Sequence, residues 1–358
     1  RATFSSSLPT MSSLELTARA GTFNVDTSLT YADNGLVNAG LITVNSTQVT
    51  LSDGNVTSSK TQNYNTALTL AANATLTGTT VTTSSTLAGG GYSLTVAANA
   101  TNDSGNLTTG GNSTGLSSLT VARNTELAGD VASSGNQTYG GTVVLNTDAS
   151  MTATGASAVI SVAGTVNSDA TLTPRALVIN ASGATSNVVL GGSVGASAPL
   201  TSLAITASDI DVNGGVVTTN AAQTFTGSVT LGANTTLSGV AITMGGTVKS
   251  DGTNRSLTIN DSTTTTLTGA IGGSTDGEKL SSLTTDLGGN TLINGGAVRT
   301  TGDQTFNDAV TLGVNTSLTA STVTTQDVLV GNAKALTITG NAVLGNGVAD
   351  TVTGLTNL

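Results

Sequence analysis

The chain contains no cysteine, no histidine and no tryptophan, and its aromatic content is four Tyr and four Phe in 358 residues. Without cysteine there are no disulfide staples, although that says nothing about redox compartment. Without histidine as well, the usual zinc ligand sets and the Ser-His-Asp and Cys-His nucleophile sites are excluded. Charge is equally scarce. Ten basic and twenty acidic residues make up 8% of the chain and leave a net charge of −10. The basic residues stand singly, so no stripe of cations is available to face phosphates and a nucleic-acid partner is not expected. The acidic balance fits solubility and names no partner. No apolar run reaches the ~18 residues of a membrane helix, so no membrane span is expected. Arg1 opens without the charged-then-apolar pattern of a signal peptide, and the chain reads as a mature product or an excised piece.

What is present is Thr, Ser, Asn, Gly, Ala, Val and Leu. With 37% apolar residues and a mean hydropathy of +0.18, the composition departs from that of disordered segments, which combine low hydrophobicity with high net charge. Thr, Val and Ile favour extended backbone, whereas Asn, Gly and Asp favour turns. Many short strands separated by turns are therefore expected, around a core that must be thin because it lacks rings.

The sequence repeats itself. Gln62-Asn-Tyr64, Gln137-Thr-Tyr139, Gln223-Thr-Phe225 and Gln304-Thr-Phe306 recur at spacings of 75, 86 and 81 residues. Four residues beyond each ring stand Leu68, Val143, Val229 and Val310; six beyond, Leu70, Leu145, Leu231 and Leu312; twelve beyond, Leu76, Met151, Leu237 and Leu318. Nine beyond stand Asn73, Asp148, Asn234 and Asn315. The patterns Leu116-Ser-Ser-Leu119, Leu200-Thr-Ser-Leu203 and Leu280-Ser-Ser-Leu283 keep the same beat, with Met11-Ser-Ser-Leu14 before them and Leu355-Thr-Asn-Leu358 after. The repeats are assigned to 11–115, 116–199, 200–279 and 280–354.

Inside each repeat the apolar spacing is two, as in Val229-Thr230-Leu231, which places alternate side chains on opposite faces of a strand. Each repeat holds about four units of roughly 20 residues, the size of one coil of a solenoid. The expected fold is all-β: a right-handed parallel β-helix, or β-solenoid, continuous over 1–358. About 18 coils at the ~4.8 Å strand spacing make a rod on the order of 85 Å. The inward residues, Tyr64, Leu68, Leu70 and their counterparts, stack as a narrow column. The single ring per repeat implies a local widening or a ring against the outside. Asn side chains at the turns are expected to form amide ladders. The alternative fold is an array of small β-sandwich domains, since 80 residues could also make one such domain.

With the repeats in view, the chain resembles the repetitive shafts of large bacterial surface exoproteins, the filamentous-haemagglutinin-like and related β-strand-repeat proteins. The residues that carry the resemblance are the run from Asn34 to Val44, Asn-Gly-Leu-Val-Asn-Ala-Gly-Leu-Ile-Thr-Val, and the block from Thr300 to Thr319, echoed three times upstream. The resemblance implies a right-handed parallel β-helix that is exported and serves in adhesion, biofilm or delivery. It makes the chain a building block of an extracellular fibre or adhesin shaft. The alternatives are a carbohydrate- or receptor-binding adhesin module, with a glycan or cell-surface ligand, and a carbohydrate-active enzyme.

The chemistry open to such a chain is that of carboxylates. Asp209 and Asp211 alternate in a strand-like stretch and would share one face, a pairing that can serve glycoside cleavage, but Leu292 stands opposite Asp211 in the next repeat. Asp276-Gly-Glu278 offers hard oxygens to calcium without the nonapeptide pattern of calcium-loaded β-rolls. Thr79–Thr83 and Thr263–Thr266 suggest an ice-binding face but do not recur in every coil. The thirteen Asn-x-Ser/Thr sequons permit glycosylation and arise readily in this composition. No enzyme activity, metal or cofactor is therefore expected. The expected partners are copies of the chain itself, joined head to tail. The start of another repeat at Leu355 and Leu358 would offer an unpaired coil edge to residues 1–10 of a neighbour, through Phe4 and Leu8.

Overall fold

The structure, a computed structural model, describes residues 14–17, 22–25, 29–31, 41–45, 48–52, 55–98, 105–345 and 351–358. Among the described residues there are forty strands, most of them short, and a single 3-10 turn, Asp276–Glu278. The strand pairings are parallel, and the partner of each strand lies one coil further along the chain. A sandwich array would instead be built from antiparallel Greek keys, so that alternative falls and the fold is a parallel β-solenoid. There are about 15 coils rather than 18. Residues bonded across neighbouring coils lie 15 to 29 positions apart, because some corners carry loops longer than the strands alone require.

The chain forms two compact units, residues Arg1–Asp169 with Asn180–Ser186, and Ala170–Ile179 with Asn187–Leu358. In the first unit each coil has three faces. One face is an eight-stranded sheet that includes Ile42–Asn45, Gln62–Tyr64, Thr80–Thr83 and Asn106–Thr109. On another, Val56 pairs with Leu76, Leu76 with Val96, Val96 with Val121, and Val121 with Tyr139. Apart from the two-residue Leu87–Ala88, the strands are three to six residues long because an inward residue on each side of an outward one fills a face, after which Ser-Ser, Asn-Gly or Asn-Thr turns the chain.

In the second unit, Leu203, Gln223, Ile242, Thr265, Thr291 and Val310 pair in succession on one face. Val229, Val248, Ile271, Val298 and Leu318 do so on the next. Val217, Leu237 and Ile259 pair in succession on the third. Here, as Thr316–Thr325 and Leu329–Leu344 do further along, Leu203–Val212 and Gln223–Leu231 run across a corner without a break. The register shifts at that corner, where Gly227 has φ +132° and a Cβ would strike the carbonyl of Ala207. Only glycine fits there without strain.

The long repeat is not a whole number of coils. Gln62–Tyr64 is the seventh strand and Gln137–Tyr139 the eighteenth, eleven steps later, and with three faces to a coil the marker has moved by one face. In the second unit, if the two halves of Gln223–Leu231 and the bridge at Ile271 are counted as face positions, the step from Gln223 to Gln304 is again eleven. The expected four coils per repeat are thus three and two-thirds.

The core is a column of alternating burial. Leu68, Leu70, Val143, Leu145, Val229, Leu231, Val310 and Leu312 are all buried, each stabilising by about 1.5–3 kcal/mol relative to exposure. The rings of Tyr64, Tyr139, Phe225 and Phe306 are 0–1% exposed, so they belong to the column and none lies against the outside. The interior is also more polar than an aliphatic stack. Thr83, Thr265, Thr285, Thr291 and Asp308 point inward, along with all four marker glutamines.

Candidate functional site

The four repeat markers are hydrogen-bonded knots at the coil corners. Gln62 Nε2 donates to the carbonyls of Val56 (3.0 Å) and Thr77 (2.9 Å), tying its own coil to the next. Gln137 reaches Val131 and Thr152, Gln223 reaches Val217 and Ser238, and Gln304 reaches Val298 and Thr319 in the same way. In the first two knots the ring completes the set, since Tyr64 Oη and Tyr139 Oη each donate to the amide oxygen two residues earlier at 2.9 Å. Burial pushes both phenols far above the ordinary tyrosine range. Phe225 and Phe306 have no hydroxyl, and the Oε1 atoms of Gln223 and Gln304 are buried without a partner. An inward Gln was foreseeable, because Gln-x-Tyr places the amide and the ring on the same side of a strand.

The turns are tied by side chain to backbone. Asn73 Oδ1 accepts from the Ser93 N–H, Asn124 Oδ1 from Thr142, Asn234 Oδ1 from Ser256 and Asn315 Oδ1 from Ala335, at 3.0–3.1 Å. The expected amide-to-amide rung occurs at Asn65 and Asn45 (2.6 Å). Three of these turn residues, Asn73, Asn234 and Asn315, are also sequons, so coil stacking accounts for the Asn there.

Asp209 and Asp211 do share the outward face, but each is engaged separately. Asp211 Oδ2 accepts from Asn187 Nδ2 at 2.8 Å, and Asp209 Oδ1 accepts from Thr230 Oγ1 at 3.4 Å. The threonine runs are not flat outward arrays, since Thr83 and Thr265 turn into the core. A carboxylate that sequence reasoning missed is Asp308, 3% exposed, which accepts from Thr285 Oγ1 (2.6 Å) and Thr291 Oγ1 (2.7 Å) of the preceding coil. Desolvation holds its pKa above the ordinary aspartate range. The clue was its place two residues beyond Phe306, where other repeats have Thr66, Gly141 and Gly227.

The most elaborate surface feature is the corner loop Gly272–Lys279 of the second unit. Ile271 and Leu280 on either side of it pair with Val298 and Thr300, as Val194 and Leu200 pair with Val217 and Thr219 around the shorter, uncharged loop Gly195–Pro199. The longer loop is held from several directions. Asn254 Nδ2 donates to the carbonyls of Asp276 (2.7 Å) and Lys279 (2.8 Å), and Ser250 Oγ also donates to the Lys279 carbonyl (2.9 Å). Thr275 Oγ1 donates to Glu278 Oε2 (2.9 Å), which holds that carboxyl below its usual range. Lys279 Nζ bonds Asp276 Oδ1 at 2.8 Å, Lys249 stands 3.7 Å from Glu278, and Arg255 clasps both oxygens of Asp251. Four of the chain's ten basic residues, Lys249, Arg255, Lys279 and Arg299, gather around this loop. Beside it lies an open groove of about 630 Å³.

The proposed subunit contacts fall at two places. Phe4 and Leu8 lie outside the described residues. Leu355 is half-buried and Leu358 is 69% exposed. Within the strand Leu329–Leu344, the residues from Leu336 to Leu344 pair inward with Thr316–Thr325. Val352–Asn357 meets only the earlier part of that strand, as far as Ala335. Comparison with known proteins returns no match among family models, curated proteins or solved structures.

Proposed function

We propose that the chain is a structural module of an extracellular fibre or surface-adhesin shaft, associating coil against coil with copies of itself. The resemblance to filamentous-haemagglutinin-like shafts supports this reading. The observation that carries it is the stretch Leu336–Leu344, which has no outer strand partner among the described residues and where Ile338 is only half-buried although Leu318, its partner in the coil beneath, is fully buried. Such an edge offers a row of backbone donors and acceptors, together with an open slice of core, to one more parallel coil. A repeated contact of this kind between unlike ends propagates as a filament. Leu355 and Leu358 of one copy, with Phe4 and Leu8 of the next, are the side chains assigned to the junction.

Electron microscopy and mass measurement of the full chain over a range of concentrations test this. The expected result is filaments of uniform width that lengthen with concentration and disappear in Ile338→Lys, because an inward charge blocks edge pairing. Particles that stay monomeric at every concentration would overturn the reading.

A further inference from the structure

The groove lies beside Gly272–Lys279, a corner that differs from its equivalent in the preceding repeat, where Gly195–Pro199 is shorter and uncharged. Here the loop is lengthened, is fastened by the amide of Asn254 and the hydroxyls of Ser250 and Thr275, and carries the Asp276–Lys279 ion pair. Stacking of coils would be served equally well by a loop like Gly195–Pro199. Fastening a loop so thoroughly at a surface removes in advance the ordering cost that a ligand would otherwise meet.

The groove wall and floor indicate the chemistry it favours. Asp276 and Lys279 are paired, so they offer acceptors and donors without net charge. Thr301 and Ser321 add hydroxyls at exposed positions, while Ala320 and Gly340 leave a methyl group and bare backbone between them. A volume of about 630 Å³ lies within the ~300–1,000 Å³ range of small-ligand sites. We infer that this groove binds a neutral glycan segment, whose hydroxyls pair with the ion-paired rim and whose C–H faces lie on the floor. This is a binding function separate from shaft assembly, and it holds whether or not copies of the chain associate. No aromatic ring lines the groove. Without ring stacking the affinity of one site is weak, about 1 mM, and useful binding comes from many sites presented together.

Saturation-transfer NMR on the dispersed full chain, with neutral tetrasaccharides of glucose, galactose and mannose, tests the inference. At least one of them should give transfer that is unchanged by added salt, because no net charge is involved. Filling the groove by Ser321→Leu, and removing a rim acceptor by Asp276→Ala, should each reduce that transfer about tenfold while leaving thermal unfolding unchanged, since both side chains are outward. The inference is overturned if no neutral tetrasaccharide gives transfer at about 10 mM, or if Ser321→Leu binds as well as the parent. It is equally overturned if sulfated sugars bind in preference and are released by salt.

Discussion

Phe306→Tyr should stabilise the second unit. In the parent chain Gln304 is fully buried, its Nε2 is satisfied by the Val298 and Thr319 carbonyls, and its Oε1 has no partner. A buried acceptor left in that state costs about 1–3 kcal/mol. The same Gln-x-ring spacing in the first two repeats brings a phenol to 2.9 Å from the amide oxygen, so the added hydroxyl has a place to go. Against the gain stands the crowding from one extra atom in a packed column, about 1 kcal/mol or more where neighbours cannot yield. A net gain of about 1 kcal/mol is expected. Tyr139→Phe is the complementary change: it adds no bulk, leaves Gln137 Oε1 unpaired, and should cost about 1–3 kcal/mol. Because a solenoid is stabilised coil by coil, the proper assay is native-state hydrogen exchange, comparing amides in the coils joined by each knot with amides several coils away. If Tyr139→Phe leaves exchange unchanged around Val131 and Thr152, the account of the knots is wrong.

Two further outcomes follow from the core. Leu231→Asp buries a lone carboxylate and should cost several kcal/mol, whereas Thr230→Lys, one residue away on the outward face beside Asp209, should be tolerated; equal losses of melting temperature would refute the strand register. Asp308 has its pKa raised in the folded state, so its contribution to stability is greatest below the ordinary aspartate range and is lost as pH rises through the folded value. Unfolding of the second unit, followed by denaturant titration, should therefore show a stability increment on acidification toward that range which is absent in Asp308→Asn, and an identical pH profile in the two proteins would contradict the assignment.

Much of the fold was legible because solenoid strands obey a period of two and the repeat is written four times. Leu68, Val143, Val229 and Val310 declared themselves inward by alternation alone. The coil count was not legible, since loops such as Gly272–Lys279 lengthen a coil without altering the strands on either side. The polar interior was hidden by the ordinary expectation that Gln and Asp face water. What reverses that expectation is a local partner, the carbonyls of Val56 and Thr77 for Gln62 and the hydroxyls of Thr285 and Thr291 for Asp308, and partners one coil away do not appear in a linear reading. The groove was half visible: Asp276 and Glu278 stood out as candidate ligands, but only the folded chain brings Asn254 and Ser321 to the same corner.

The eleven-step repeat on a three-faced coil has a consequence for fidelity. Eleven is not divisible by three, so within each unit equivalent segments of successive repeats stand on different faces and several coils apart. A marker strand is therefore not paired with its own counterpart from the next repeat, although shorter look-alikes do meet, as Ser93–Val96 does with Ser118–Val121. For one copy to take another's place, the chain would have to rotate by a third of a turn and displace every corner knot on the way. A sequence this repetitive is exposed to slippage between equivalent segments, and the mismatch between its two periods acts as a vernier that leaves a single alignment in which all the knots close together.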